Sequence, residues 1–370
     1  MRYLCHKEFV NERDYSGPAQ VFRPLTTLSS DATLSPASTT LLGRLLRGAV
    51  LLGMCAMTGL AGAAEHGVRE VSPNHLKLSS GELSVGLNRD WRGPMPDVQR
   101  VLIIVHGRLR NAMTYLQSAE TAASQAGQER NTLIIAPQFL NDSDVRRNHL
   151  PDQLLRWHGN DWMAGDPAIG PAGMSSYAAL DEVLARLGNR KKFPALREVV
   201  IAGHSGGGQV VQRYALVGHG DAQLAGSGVR LRYVVANPSS YAYFSPQRPA
   251  KGFDPAGCPG FNDWKYGLQN LPAYVTGQSA TQLEQTYVQR DVTYLLGQKD
   301  TNPNHPALDK SCAAEAQGAY RLIRGHNYFA YLQQRHPQGL AQRLVEVPGV
   351  GHDGNGMFTS PQGQQALFSQ

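Results

Sequence analysis

The stretch from Val199 to Arg213 admits few local structures. Val199-Val200-Ile201-Ala202 is an apolar, largely β-branched run that stops at Gly203, and Gly206, Gly207 and Gly208 then crowd behind Ser205. Beyond them Val210, Val211, Tyr214 and Ala215 recur at the spacing of one helical face. A strand, a sharp turn and a helix are therefore expected in immediate succession. Gly203-His204-Ser205-Gly206-Gly207 fits the pattern G-x-S-x-G. A serine at the tip of a strained turn needs neighbours without Cβ atoms. A helix beginning just behind it presents free N–H groups to any negative charge that develops there. Ser205 is thus a candidate nucleophile.

Around this stretch the chain alternates between buried strands and amphipathic helices. Apolar runs at Val101–Val105, Thr132–Ala136, Leu231–Ala236, Asp291–Leu296 and Gln342–Val347 read as strands. Helical patterns cover Asn111–Ala126 and Ser176–Leu187, and a further one, broken near Gly318 and Gly325, runs to His336. Ser360-Pro361 opens a last helix, serine as cap and proline in the first turn. Continuous apolar strands alternating with helices imply an α/β fold, a mostly parallel sheet covered on both faces. Two segments break the rhythm. The loop Pro137–Gly173 carries Trp157, His158, Asp161 and Trp162, and loops of that length are often functional. Residues 241–290 hold nine aromatics, from Tyr241 to Tyr287, and are expected to be an insertion that lines an apolar pocket or packs on itself.

The N-terminal region reads differently. Residues 1–40 are rich in Ser, Thr and Pro and lack sustained periodicity, as a disordered extension would. Arg44 and Arg47 precede the short apolar stretch Gly48–Ala64, which ends in small residues. Positive flank, apolar segment and small end match an export signal, with cleavage expected after Ala63 or Ala64. Cys55 follows Leu52-Gly53-Met54, only a loose likeness to a lipoprotein box. The expected organisation is an extension and export signal over 1–64, a lead-in over 65–97 and one catalytic domain over 98–370. No membrane span is expected in the mature protein. Cys258 and Cys312 are the two cysteines of the exported body and are expected to form a disulfide.

Charge and motifs narrow the chemistry. The formal charge is +6, and +4 over the residues beyond 64 is too mild for a nucleic-acid binder. The one compact basic run, Arg190-Lys191-Lys192, falls between a helix and a strand pattern and reads as a solvated loop. A phosphate loop would need lysine and Ser/Thr after its last glycine, where Gln209-Val210 stands. A dinucleotide fingerprint fails because Val211 replaces its third glycine. No two histidines lie within five residues of each other, so metal catalysis has little support and no cofactor is implied.

A serine hydroxyl requires a base, usually a histidine held by a carboxylate. In a doubly wound sheet these groups belong at the carboxyl ends of strands. Ser205 follows one strand, Asp300 a later one, and His352 the last, within Gly349-Val350-Gly351-His352. Asp309 and Asp353 compete for the acid, whereas the strand ending at Ala236 is followed by Asn237.

Gly203-His204-Ser205-Gly206-Gly207, His106-Gly107 and Gly351-His352, in that setting, resemble the α/β-hydrolase superfamily over about residues 98–370. The resemblance implies Ser205 as nucleophile, His352 as general base and acid, and Asp300 as the orienting carboxylate. It also implies an oxyanion hole from the backbone N–H groups of Gly206 and of Arg108 or Leu109. The loop lacks the glycine run of HGGG-type esterases, and the Arg108 side chain either faces substrate or is an ordinary surface arginine. The expected activity is cleavage of a small-molecule or polymeric ester. A serine peptidase or amidase using the same residues is the alternative, and a non-catalytic binding protein on the same fold is a third reading. The sequence implies no particular oligomeric state.

Overall fold

The computed structural model describes residues 67–369, so the extension and export signal expected over 1–64 lie outside the described residues. Eight strands form the main sheet: β1 (Asn74–Leu78), β2 (Gly81–Leu87), β3 (Arg100–Val105), β4 (Thr132–Gln138), β5 (Glu198–His204), β6 (Arg230–Ala236), β7 (Asp291–Gly297) and β8 (Arg343–Val347). Their order is β1-β2-β4-β3-β5-β6-β7-β8. β2 runs antiparallel to both its neighbours, and the pairings from β4 through to β8 are parallel. Seven helices matter to the site: α1 (Ala112–Gln125), α2 (Ser176–Leu187), α3 (Gly206–Val217), α4 (Ala280–Gln289), α5 (Arg321–Arg335), α6 (Gly354–Thr359) and α7 (Pro361–Phe368).

The central strands β3, β4 and β5 are largely apolar because both of their faces are covered. Val101, Ile103, Val105, Val199, Ile201 and Val235 join one buried cluster, with Leu180 and Leu184 of α2, Val210 of α3, Leu283 of α4 and Tyr328 of α5. Their alternates Leu102, Ile104, Val200, Ala202 and Val234 join a second cluster, with Leu116 and Ala119 of α1, Met357 of α6 and Leu367 of α7. Period-two alternation thus splits each strand between two cores, as a doubly covered parallel sheet requires.

Local chemistry sets several boundaries. Ser360 accepts a hydrogen bond from Gly363 N–H at 2.9 Å and caps α7, whose first residue is Pro361. The break expected at Gly325 is absent, since α5 runs unbroken from Arg321 to Arg335. Gly325 serves packing instead: a Cβ there would meet Leu296 Cδ1 at 2.5 Å. Gly318, at φ 143°, does stand outside the helix. The lead-in over 65–97 contributes β1 and β2, whose Leu76, Leu78, Leu83 and Val85 point into the first core.

Of the aromatics in 241–290, Tyr241, Tyr243 and Tyr287 are buried in the first core. Tyr241 stacks on Tyr328 at 4.6 Å between ring centroids, and Tyr243 packs on the same tyrosine edge-on. Phe261 packs edge-on against Phe253 at 5.1 Å, with the Arg248 guanidinium over its face. Near its end the segment forms α4, whose Leu283 and Tyr287 join the first core.

Cys258 and Cys312 form a disulfide across 54 residues of sequence. It joins the irregular segment to the helical turn Cys312–Glu315, just before α5. Replacing both cysteines by serine is expected to lower the unfolding free energy by about 4 kcal/mol in the chain-entropy view. Denaturant titration of the two proteins reads this directly, and a loss below about 1 kcal/mol would place the constraint outside that account.

Candidate active site

Ser205 stands between β5 and α3 at φ 57° and ψ −117°, a region that non-glycine residues rarely occupy. Its N–H donates to Ala236 O on β6 at 2.9 Å, which fixes the turn to the neighbouring strand. Two glycines make the close approach possible. A Cβ on Gly203 would lie 2.4 Å from Gly207 O, and one on Gly207 would lie 2.1 Å from Val105 O on β3. Gly207→Ala is therefore expected to cost about 3 kcal/mol or more, seen as a fall in melting temperature or in soluble yield. A variant as stable as the parent would contradict this packing.

Ser205, Asp300 and His352, drawn from three separate strand ends, meet in space. Ser205 Oγ lies 2.9 Å from His352 Nε2, and His352 Nδ1 lies 2.7 Å from Asp300 Oδ2. Asp300 is 2% exposed and the His352 side chain 11%. Asp309 is engaged elsewhere: its Oδ2 accepts from Tyr266 Oη at 2.8 Å and faces Lys265 Nζ at 4.0 Å. Asp353 caps α6 by accepting from Asn355 N–H.

The loops after β7 and β8 are tied by a residue that sequence reading noticed only for not being acidic. Asn237, at φ 43°, accepts from Gly297 N–H at 2.8 Å through Oδ1 and donates to Gly351 O at 3.2 Å through Nδ2. Lys299 N–H also donates to Val350 O at 2.8 Å. Asp300 and His352 are held in register by these short bridges.

The loop His106–Arg110 lies against the serine. Arg108 N lies 3.0 Å from where a Cβ on Gly206 would sit. His106 is fully buried, and its Nε2 accepts from Phe139 N–H at 2.9 Å. That bond leaves the proton on Nδ1, which donates to Gly107 O at 2.8 Å. Burial pushes the His106 pKa down to about 4, so this neutral tautomer persists at ordinary pH. Arg110 N–H donates to the same carbonyl at 3.0 Å. With Gly107 O held by two donors, the planar trans peptide turns Arg108 N–H to the opposite side. Arg110, at φ 58°, anchors the far end of the loop through Asp144, Nε to Oδ2 at 2.7 Å, with both side chains almost fully buried. Asp144 also accepts from Val68 and Asn141 N–H groups, so its charge is fully engaged. Arg110 and Asp144 stand 34 residues apart, and no motif announces the pair.

Two more histidines flank His352. The His204 ring lies 4.6 Å from it, and His204 Nδ1 is 3.0 Å from Tyr115 Oη on α1. His305 meets it edge-on at 4.9 Å, and its Nδ1 accepts from Ala307 N–H at 3.1 Å. The sequence singled out neither. Burial holds the His352 pKa below the ordinary histidine range, with Arg321 and His305 adding to the effect. Burial raises the pKa of the Asp300 carboxyl, and Arg321 is the chief charge that opposes the rise. Among the described residues no group of three or more His, Cys, Asp or Glu is placed to hold a metal ion.

An eight-stranded sheet in this order, with one antiparallel strand and a serine on the strand-to-helix turn, defines the α/β-hydrolase class. The model of the alpha/beta hydrolase family matches residues 102–364, and the chain belongs to that family. Among solved structures it is similar to poly(aspartic acid) hydrolase-1 from Sphingomonas sp. KT-1, at 23% identity and a TM-score of 0.56, covering 82% of this chain and 99% of that one. It is also similar to the poly(3-hydroxybutyrate) depolymerase LpqC from Bordetella parapertussis, at 24% identity and a TM-score of 0.52, covering 78% and 87%. No curated protein sequence matches the chain.

The protonation pattern has a measurable consequence. A base must be neutral to act, and a lowered pKa keeps it neutral to lower pH. The acid limb of kcat/KM is therefore expected to fall below the ordinary histidine value of about 6.5. A limb above that value would mean that the Asp300 charge outweighs burial at His352.

Proposed function

We propose that the chain is a serine hydrolase that cleaves carboxylic esters through an acyl-enzyme. One observation carries the reading: the continuous line from Ser205 Oγ to His352 at 2.9 Å and on to Asp300 at 2.7 Å. In this reading His352 Nε2 takes the Ser205 proton as Oγ attacks the ester carbonyl. Asp300 accepts from Nδ1–H and stabilises the imidazolium. The oxyanion of the tetrahedral intermediate meets the N–H groups of Gly206 and Arg108. The first is free because α3 starts there, and the second is aimed by the His106–Gly107 bond. His352 then protonates the leaving alcohol and activates the water that releases the acid.

Small-molecule and polymeric esters are both within this reading, and the two solved relatives are named for polymers. Amide cleavage is the second reading. Arg108 is exposed and its backbone lies against Gly206, which favours acidic substrates, and the relative named for poly(aspartic acid) acts on such a chain. The Cys258–Cys312 disulfide supports an exported, oxidising setting. Among the described residues no helix is long and apolar enough to cross a membrane.

Fluorophosphonate labelling followed by a panel of matched esters and amides tests the reading. Ser205→Ala is expected to abolish labelling and to lower kcat/KM by roughly 10³-fold or more. Retained labelling in that variant would end the proposal. Asp300→Asn is expected to be nearly as damaging and Asp309→Asn mild, and the reverse ranking would reassign the acid. Faster turnover of the amide members would favour the second reading.

A further inference from the structure

The carboxylate of Asp300 has a second partner that the proposed chemistry does not use. Arg321 is the first residue of α5, and its guanidinium is fully buried. Its Nη1 donates to Asp300 Oδ1 at 3.4 Å, while Asp300 Oδ2 faces His352. Its Nε donates to Ser239 Oγ at 3.0 Å, just beyond β6. The next residue, Leu322, donates its N–H to the Asp300 backbone carbonyl at 3.2 Å. The start of α5 has no side-chain cap of its own, because Tyr320 occupies the cap position. Asp300 is therefore gripped twice by one helix start, through its carbonyl and through its carboxylate.

Resting on the Ser205–His352–Asp300 reading, we infer that Arg321 is a positioning residue: it fixes the Asp300 carboxylate and keeps it ionised beside a neutral His352. A buried carboxylate with only a neutral imidazole for company tends to take up a proton. A buried cation on its other oxygen opposes that, and the same cation disfavours a proton on His352. Both effects lower the proton affinity of the coupled pair, so the cation extends activity towards acid. The groups facing the pair are His204 from β5, His305 from the loop after β7 and Arg321 from α5, while Arg324 and Arg108 act on Arg321 itself. Burial lowers the pKa of both His204 and His305, so Arg321 is the permanent charge closest to the pair. Simple packing of a long side chain would not move a titration. A charge would.

The test is the pH dependence of kcat/KM on a soluble ester, from about pH 4 to 9, for the parent, Arg321→Gln and Arg321→Lys. Glutamine keeps a donor and removes the charge, and its acid limb is expected to rise by about one pH unit or more. Lysine keeps the charge, and its limb is expected to stay near the parent's even if the plateau falls. A glutamine variant that folds, by circular dichroism and melting, yet keeps the parent limb overturns the inference. If the glutamine variant does not fold, Arg321→Met, which keeps the length and drops the charge, takes its place: a raised limb supports the inference and an unmoved one overturns it. Asp300→Asn separates the role of Asp300 from that of Arg321. Near-parental activity there would remove the Ser205–His352–Asp300 reading itself. A crippled Asp300→Asn beside an unmoved glutamine limb would remove Arg321 alone.

Discussion

The approach of three backbones at the carboxyl end of the sheet is the constraint on which the rest depends. β3, β5 and the first turn of α3 come so close that Gly207 has no room for a Cβ beside Val105 O. Only in that contact is Ser205 held at positive φ, with its hydroxyl raised above the sheet and a helix start behind it. The strain at Ser205 is supported by the Ala236 carbonyl on one side and by the glycines on the other. Loosening the contact would let the turn relax, and the serine would lose its relation to both His352 and Arg108.

Electrostatics around the serine follow from burial more than from the number of charges. His106, His204 and His352 are all removed from water and all pushed towards neutrality. In His106 neutrality fixes a tautomer, and that tautomer orients the Gly107–Arg108 peptide. In His352 it lets Nε2 accept from Ser205 Oγ while Nδ1–H donates to Asp300. The ionised groups nearby are paired: Asp144 with Arg110 below the early loop, and Asp300 with Arg321 at the start of α5. Each pair couples a loop to an element distant in sequence, so the site is braced from the sheet outward.

Differences between sequence pattern and structure fall where packing outranks local preference. Gly325 looks like a helix break, but the space beside Leu296 demands a residue without a side chain, and the helix continues through it. Several aromatics of 241–290 look like a pocket wall, yet Tyr241, Tyr243 and Tyr287 belong to the tyrosine cluster with Tyr294 and Tyr328 under α5. The alternating Leu76, Leu78, Leu83 and Val85 lie in segments too short and polar to stand out, and they become strands only by pairing at the sheet edge.

The sequence by itself determined the alternating α/β architecture, because a strand buried on both faces must be apolar at every position and a covering helix only on one. It also placed Ser205, Asp300 and His352 at the turns that follow three strands, and strand ends in such a sheet converge. Tertiary structure alone decided which carboxylate turns towards His352, because Asp300 and Asp309 differ only in what surrounds them. The same holds for Arg321, Arg110, Asn237 and His305, whose roles come from contacts between segments far apart in the chain. Periodicity and turn chemistry act over a few residues and are written locally. Pairing of buried charges depends on which surfaces meet once the sheet has closed over its helices.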